Sequence, residues 1–94
     1  MLLSSTLDFL KEEYKLAGKT LELAIGCVEN LRDSIKEAVR EEFGKDADEL
    51  AAYDCMLGAI ADNNNRNKNK DEKVIYEAVI YPAVAIELGL YDYR

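Results

Sequence analysis

Histidine and tryptophan are missing from the 94 residues, proline occurs once, at position 82, and there are two cysteines and five glycines. Without histidine there is no Ser-His-Asp or Cys-His catalysis, no imidazole metal ligand and no ordinary proton shuttle near neutral pH. Two cysteines, Cys27 and Cys55, fall short of the disulfide framework expected of a small secreted domain. We read them as free thiols in a reducing compartment, which gives a cytoplasmic expectation. The longest apolar run, AVIYPAVAI at 78–86, is far below the roughly 20 residues that cross a bilayer. No basic, apolar leader pattern opens the chain, so neither a signal peptide nor a membrane partner is expected.

Phosphate loops are excluded next, because no two glycines fall close together. The stretch DNNNRNKNKDEK at 62–73 has carboxamides and carboxylates in the manner of a calcium loop. It fails at Arg66, lacks the central glycine, and ends on Lys73 where a bidentate glutamate belongs. A helical Mg²⁺-dependent nucleotide pyrophosphohydrolase is the least favoured reading. Glu37, Glu41, Glu42, Asp46, Glu49 and Asp54 cluster in sequence, but no glutamate pair has the i,i+3 spacing that would present two carboxylates to one ion. Neither thiol has a base beside it in sequence. The expectation is no enzyme, no cofactor and no metal.

What the chain does have is helical periodicity. Leu7, Leu10, Tyr14, Ala17, Leu21, Ala24, Val28, Leu31, Ile35 and Ala38 alternate in steps of three and four, the heptad signature of an amphipathic helix. Ser5 and Asp8 offer a capping start, and Gly44 after Phe43 offers a stop. The expectation is one helix over 6–43 that passes through Gly18 without a break. Phe9, Leu16 and Leu23, with Cys27, widen the apolar arc of its first half, which therefore needs more cover than its second half. Glu29, Asp33, Glu37 and Glu41, flanked by Arg32, Lys36 and Arg40, mark the solvent face.

Asp46 and Glu49 suggest a second cap, and Leu50, Tyr53, Leu57 and Ile60 a second, shorter helix over 47–61, folded back on the first. An Asn-rich loop over 62–72 follows, because asparagine favours turns and caps over helix interiors. Residues 73–90 carry many β-branched and aromatic side chains but no strict alternation. Val79, Ile80, Ala83, Ile86 and Leu90 fit a helical face, with Pro82 as a kink and Gly89 as a stop. The fold expected is an all-α single domain over 1–94. It is a small bundle of a long heptad-patterned helix, an antiparallel hairpin with a short helix, and a Pro-kinked helical segment.

Net charge is -7, which opposes nucleic acid and anionic membranes as partners and suits a protein partner. The favoured function is a non-enzymatic protein-binding module, of the kind of a small bacterial or phage regulator, adaptor or inhibitor that occupies a partner's surface. Candidate contact residues are Arg66, Lys68 and Lys70 in the basic loop and Tyr91 and Tyr93 in the tail. The alternative is a self-assembling helical homodimer or larger homo-oligomer, with Leu7, Leu10, Tyr14, Leu21, Ile80 and Ile86 as seam or core.

Overall fold

A computed structural model describes residues 1–44, 48–66 and 69–93 of the chain. Most of the described residues are helical, with no strand among them. Five α-helices follow one another: α1 (Ser4–Asp8), α2 (Gly18–Phe43), α3 (Glu49–Asn65), α4 (Lys70–Ile75) and α5 (Tyr81–Glu87). Two π-helical turns interrupt them, Phe9–Glu13 after α1 and Tyr76–Ile80 between α4 and α5. The all-α architecture and the hairpin of a long and a shorter helix, α2 and α3, are as the periodicity implies. At 1.5 Å per residue α2 is about 39 Å long, which is the longest dimension of the molecule, 39 Å.

The single first helix is not what forms. It breaks at Tyr14–Ala17, where Lys15 takes a left-handed φ of 52°, Ala17 is extended, and α2 restarts on Gly18 at φ 58°. The first segment closes on itself, with Leu16 N–H donating to the Leu10 carbonyl at 3.2 Å, a C-terminal closure widened by the π turn. The heptad phase survives the break because both segments face the same core. A phase that continues is therefore no proof of a continuous helix. The core positions also drift. In α2 they are Ala24, Val28, Ile35 and Val39, so Val39 replaces Ala38 at the far end. An α-helix slips about 20° per heptad against a strict seven-residue repeat.

The helix start expected at Ser5 and Asp8 also moves. The first helix begins at Ser4, with Leu3 in the cap position and no side-chain cap. The expected Asp46 cap falls outside the described residues; Asp48 does that work, its Oδ1 accepting from Ala51 N–H at 3.3 Å. The loop expected over 62–72 is shorter than its composition suggests. Residues 62–65 extend α3, and α4 opens at Lys70. Asn69 caps α4, accepting from Glu72 N–H at 2.9 Å while its amide donates to Glu72 Oε1 at 2.7 Å.

Helix runs without interruption from Lys70 through Glu87, so Pro82 sits inside a helical stretch. Proline has no N–H and leaves the carbonyl four residues back without its helical donor. That carbonyl belongs to Ala78, and the Tyr14 hydroxyl donates to it at 2.5 Å. The π turn lies just before Pro82, with Tyr81 N–H reaching back to the Tyr76 carbonyl. Gly89, at φ 80°, ends the helix as expected: Leu90 N–H donates to the Ala85 carbonyl at 2.9 Å and Gly89 N–H to Ile86 at 3.1 Å.

The core joins α2, α3, α5 and the two π turns. Leu10, Val28, Ile35 and Val84 are among its fully buried side chains, each worth about 1.5–3 kcal/mol when removed from water. One carboxylate lies among them. Glu87 accepts from Leu3 N–H at 2.7 Å, from the Thr6 hydroxyl at 2.5 Å and from Arg32 Nη1 at 2.8 Å. Arg32 also donates to the Met1 carbonyl at 2.7 Å and to Asp33, and the N-terminal ammonium pairs with Glu29. These bonds fasten the first segment to α2 and α5.

Candidate functional site

The break at Tyr14–Ala17 leaves part of α2 without a neighbour. Thr20, Leu23, Ala24 and Cys27 have the i, i+3, i+4, i+7 spacing of one helical face. Opposite them stand Ile75, Tyr76, Val79 and Ile80, from the end of α4 and the π turn. Between the two faces lies a cleft of about 350 Å³, lined also by Tyr14 and Leu16.

Its floor is buried: Ile80, Ala24 and Val79 are among the core residues. Its rim is not, with Leu23 at 67% exposure and Ile75 at 54%. Val74, beside Ile75, is exposed as well. No lining residue carries a charge, although a third of the chain is charged. The polar side chains of the lining are Tyr14, Thr20, Cys27 and Tyr76, with the Cys27 thiol and the Tyr76 hydroxyl 4.0 Å apart. Burial, helped by the nearby Cys27, pushes the Tyr76 phenol up, so it stays neutral. The Tyr76 ring packs against Tyr81 with centroids 5.6 Å apart. Tyr81 is buried, and its hydroxyl has no hydrogen-bond partner among the described residues.

The contact residues expected from sequence do not gather at this cleft. Arg66 is exposed just past α3, Lys70 is exposed at the start of α4, and Lys68 lies outside the described residues. Tyr91 is exposed. Tyr93 is not a free binding residue. Its ring meets Phe9 edge-on at 5.3 Å, and its hydroxyl donates to Glu13 at 3.2 Å and Glu12 at 3.4 Å. Loss of solvent, with Glu13 and Glu12 adding to it, pushes the phenol up to about 12. Of the seam residues, Leu10, Ile80 and Ile86 are consumed in the core of the single chain, and Leu7 and Leu21 are half-buried. Tyr14 is exposed and lines the cleft.

Both cysteines are free, Cys27 half-buried in the cleft wall and Cys55 exposed on α3. Among the described residues no three carboxylates or thiols converge as a metal site, and no helix is long and apolar enough to cross a membrane. Sequence reading missed the cleft, although it carried one signal: the flanking stripe Leu16, Leu23 and Cys27 gave the first half of the helix more apolar surface than one neighbour covers. No protein-family model, curated protein or solved structure matches the chain.

Proposed function

We propose that this chain is a non-enzymatic protein-binding module, a small regulator, adaptor or inhibitor that acts by occupying a partner's surface. The observation that carries this reading is the exposure of Leu23 and Ile75 at the rim of one apolar cleft, with Val74 exposed next to Ile75 in the chain. Scattered surface apolar residues need no explanation, but a group of them at a concave mouth is characteristic of an interaction site. The net charge of -7 favours a partner with a basic rim around its own apolar patch. The basic pair Arg66 and Lys70 and the exposed Tyr91 are secondary candidates for contact.

Light scattering across a concentration series, followed by affinity capture with the wild type and with the Leu23→Glu/Val74→Glu double variant, tests the reading. Both positions are exposed, so the variant keeps its melting temperature. A monomer near 10.6 kDa that retains a defined protein, lost with the double variant, supports the proposal. Equal retention by both proteins removes this surface from consideration. A dimer that the double variant dissociates replaces the proposal with self-assembly.

A further inference from the structure

We infer that the cleft between α2 and the α4–π-turn segment is a binding site for one small, uncharged, largely hydrocarbon molecule. This goes beyond the protein-binding reading and does not depend on it. The first argument is size. At the roughly 30 Å³ that a water-sized group occupies in a liquid, 350 Å³ holds about a dozen non-hydrogen atoms. That volume lies within the range of small-molecule sites, about 300–1,000 Å³. A single leucine or phenylalanine side chain from a partner brings only about four to seven atoms and would leave a void against the floor, losing the contacts that close packing supplies.

The second argument is chemistry. Every lining side chain is neutral, and carbon dominates the surface. An ion placed there would lose its hydration with no counter-charge to replace it. Thr20, Cys27 and Tyr76 can serve one or two neutral polar groups, such as a hydroxyl or a carbonyl, near the wall.

The third argument is that the space is held open. The Tyr14 hydroxyl is tied to the Ala78 carbonyl at 2.5 Å, which links one lining residue of the cleft to the segment that carries the opposite wall. The left-handed Lys15 and extended Ala17 break the helix just before the Thr20–Cys27 face. The opposite wall includes a π turn, a feature common at functional sites because its extra residue re-aims the side chains around it. A preformed cleft spares the ligand the cost of ordering its own site.

The test uses the isolated full chain, 1-naphthol as an uncharged probe of suitable size, and naphthalene-1-sulfonate as its charged counterpart. Amide resonances are followed by NMR, and the rate of Cys27 alkylation by N-ethylmaleimide is followed in a Cys55→Ser background. We expect saturable naphthol shifts centred on Ala24, Cys27 and Val79, and alkylation of Cys27 slowed at least tenfold at saturation. The sulfonate should bind at least tenfold more weakly. Thr20→Phe, which fills the mouth from an exposed position, should lower naphthol affinity at least tenfold. Ile75→Asp, also exposed, makes the same test should Thr20→Phe unfold. The inference is overturned by an absence of saturable shifts to the solubility limit, by shifts centred elsewhere, or by equal binding of the two probes. Capture of a protein partner is read separately, with no probe present, through the Leu23→Glu/Val74→Glu variant, of which Leu23 also lines this cleft.

Discussion

Arg32 Nη1 lies 2.8 Å from Glu87 Oε1, and the pair joins the middle of α2 to the end of α5 beneath the first segment of the chain. The Glu87 side chain is 2% exposed and that of Arg32 15%. Truncating one member strands the other as an uncompensated charge. Arg32→Ala should therefore cost about 3 kcal/mol, seen as a lower urea midpoint at unchanged slope. A loss within 0.5 kcal/mol would mean that Thr6 and Leu3 hold the carboxylate without Arg32.

The same carboxylate sets the sign of the acid response. Burial alone would push the Glu87 carboxyl up. The hydrogen bonds from Thr6, from Leu3 N–H and from Arg32 outweigh it and leave the group below the ordinary glutamate value. The folded state therefore holds the ionised form better than the unfolded chain does. Its contribution is complete above the unfolded value, about pH 4.3, and is lost as pH falls through the lower folded value. Urea melts of wild type and Glu87→Gln should differ most at neutral pH and converge in acid. Curves that stay parallel down to about pH 3 would contradict this assignment.

Tyr14 and Pro82 should be energetically coupled. The tyrosine hydroxyl serves the carbonyl that the proline leaves without a donor. Tyr14→Phe should cost about 1 kcal/mol. In a Pro82→Ala background the restored N–H can serve Ala78, and the cost of Tyr14→Phe should fall by at least half. A double-mutant cycle measures the difference. Strict additivity would show that the two residues act independently.

Tyr81→Phe should stabilise the chain. The buried hydroxyl has no hydrogen-bond partner among the described residues, and such a group costs about 1–3 kcal/mol in lost hydration. Removing one oxygen leaves the ring packing on Tyr76 intact. We expect a rise of about 4–8 °C in melting temperature, equivalent to about 1 kcal/mol for a domain of this size. A fall would show that the hydroxyl already has water as a partner.

The helices were legible in the sequence because periodicity is a local signal. The stops at Gly44 and Gly89 were legible because left-handed φ values of 72° and 80° suit glycine and few other residues. Asn69 was legible in principle: N-x-x-E at 69–72 is a capping box, hidden by the run of asparagines before it. The break at Tyr14–Ala17 was not legible from the pattern. Lysine at a left-handed position gives no warning, and the apolar phase runs unbroken through the turn. The cleft was half legible, since the stripe Leu16, Leu23 and Cys27 announced excess apolar surface without saying that it would stay open.

Sequence by itself determined that this chain is an all-helical bundle with a long helix and a shorter return, because a period near 3.6 with polar outer faces has one inexpensive solution in water. Tertiary structure alone decided where the first helix breaks and which apolar residues remain uncovered. It also decided which of the chain's 19 carboxylates became buried. Those outcomes depend on contacts between residues far apart in the chain: Glu87 with Leu3, Thr6 and Arg32, and Tyr14 with Ala78. No local pattern encodes a hydrogen bond that spans 64 or 84 residues.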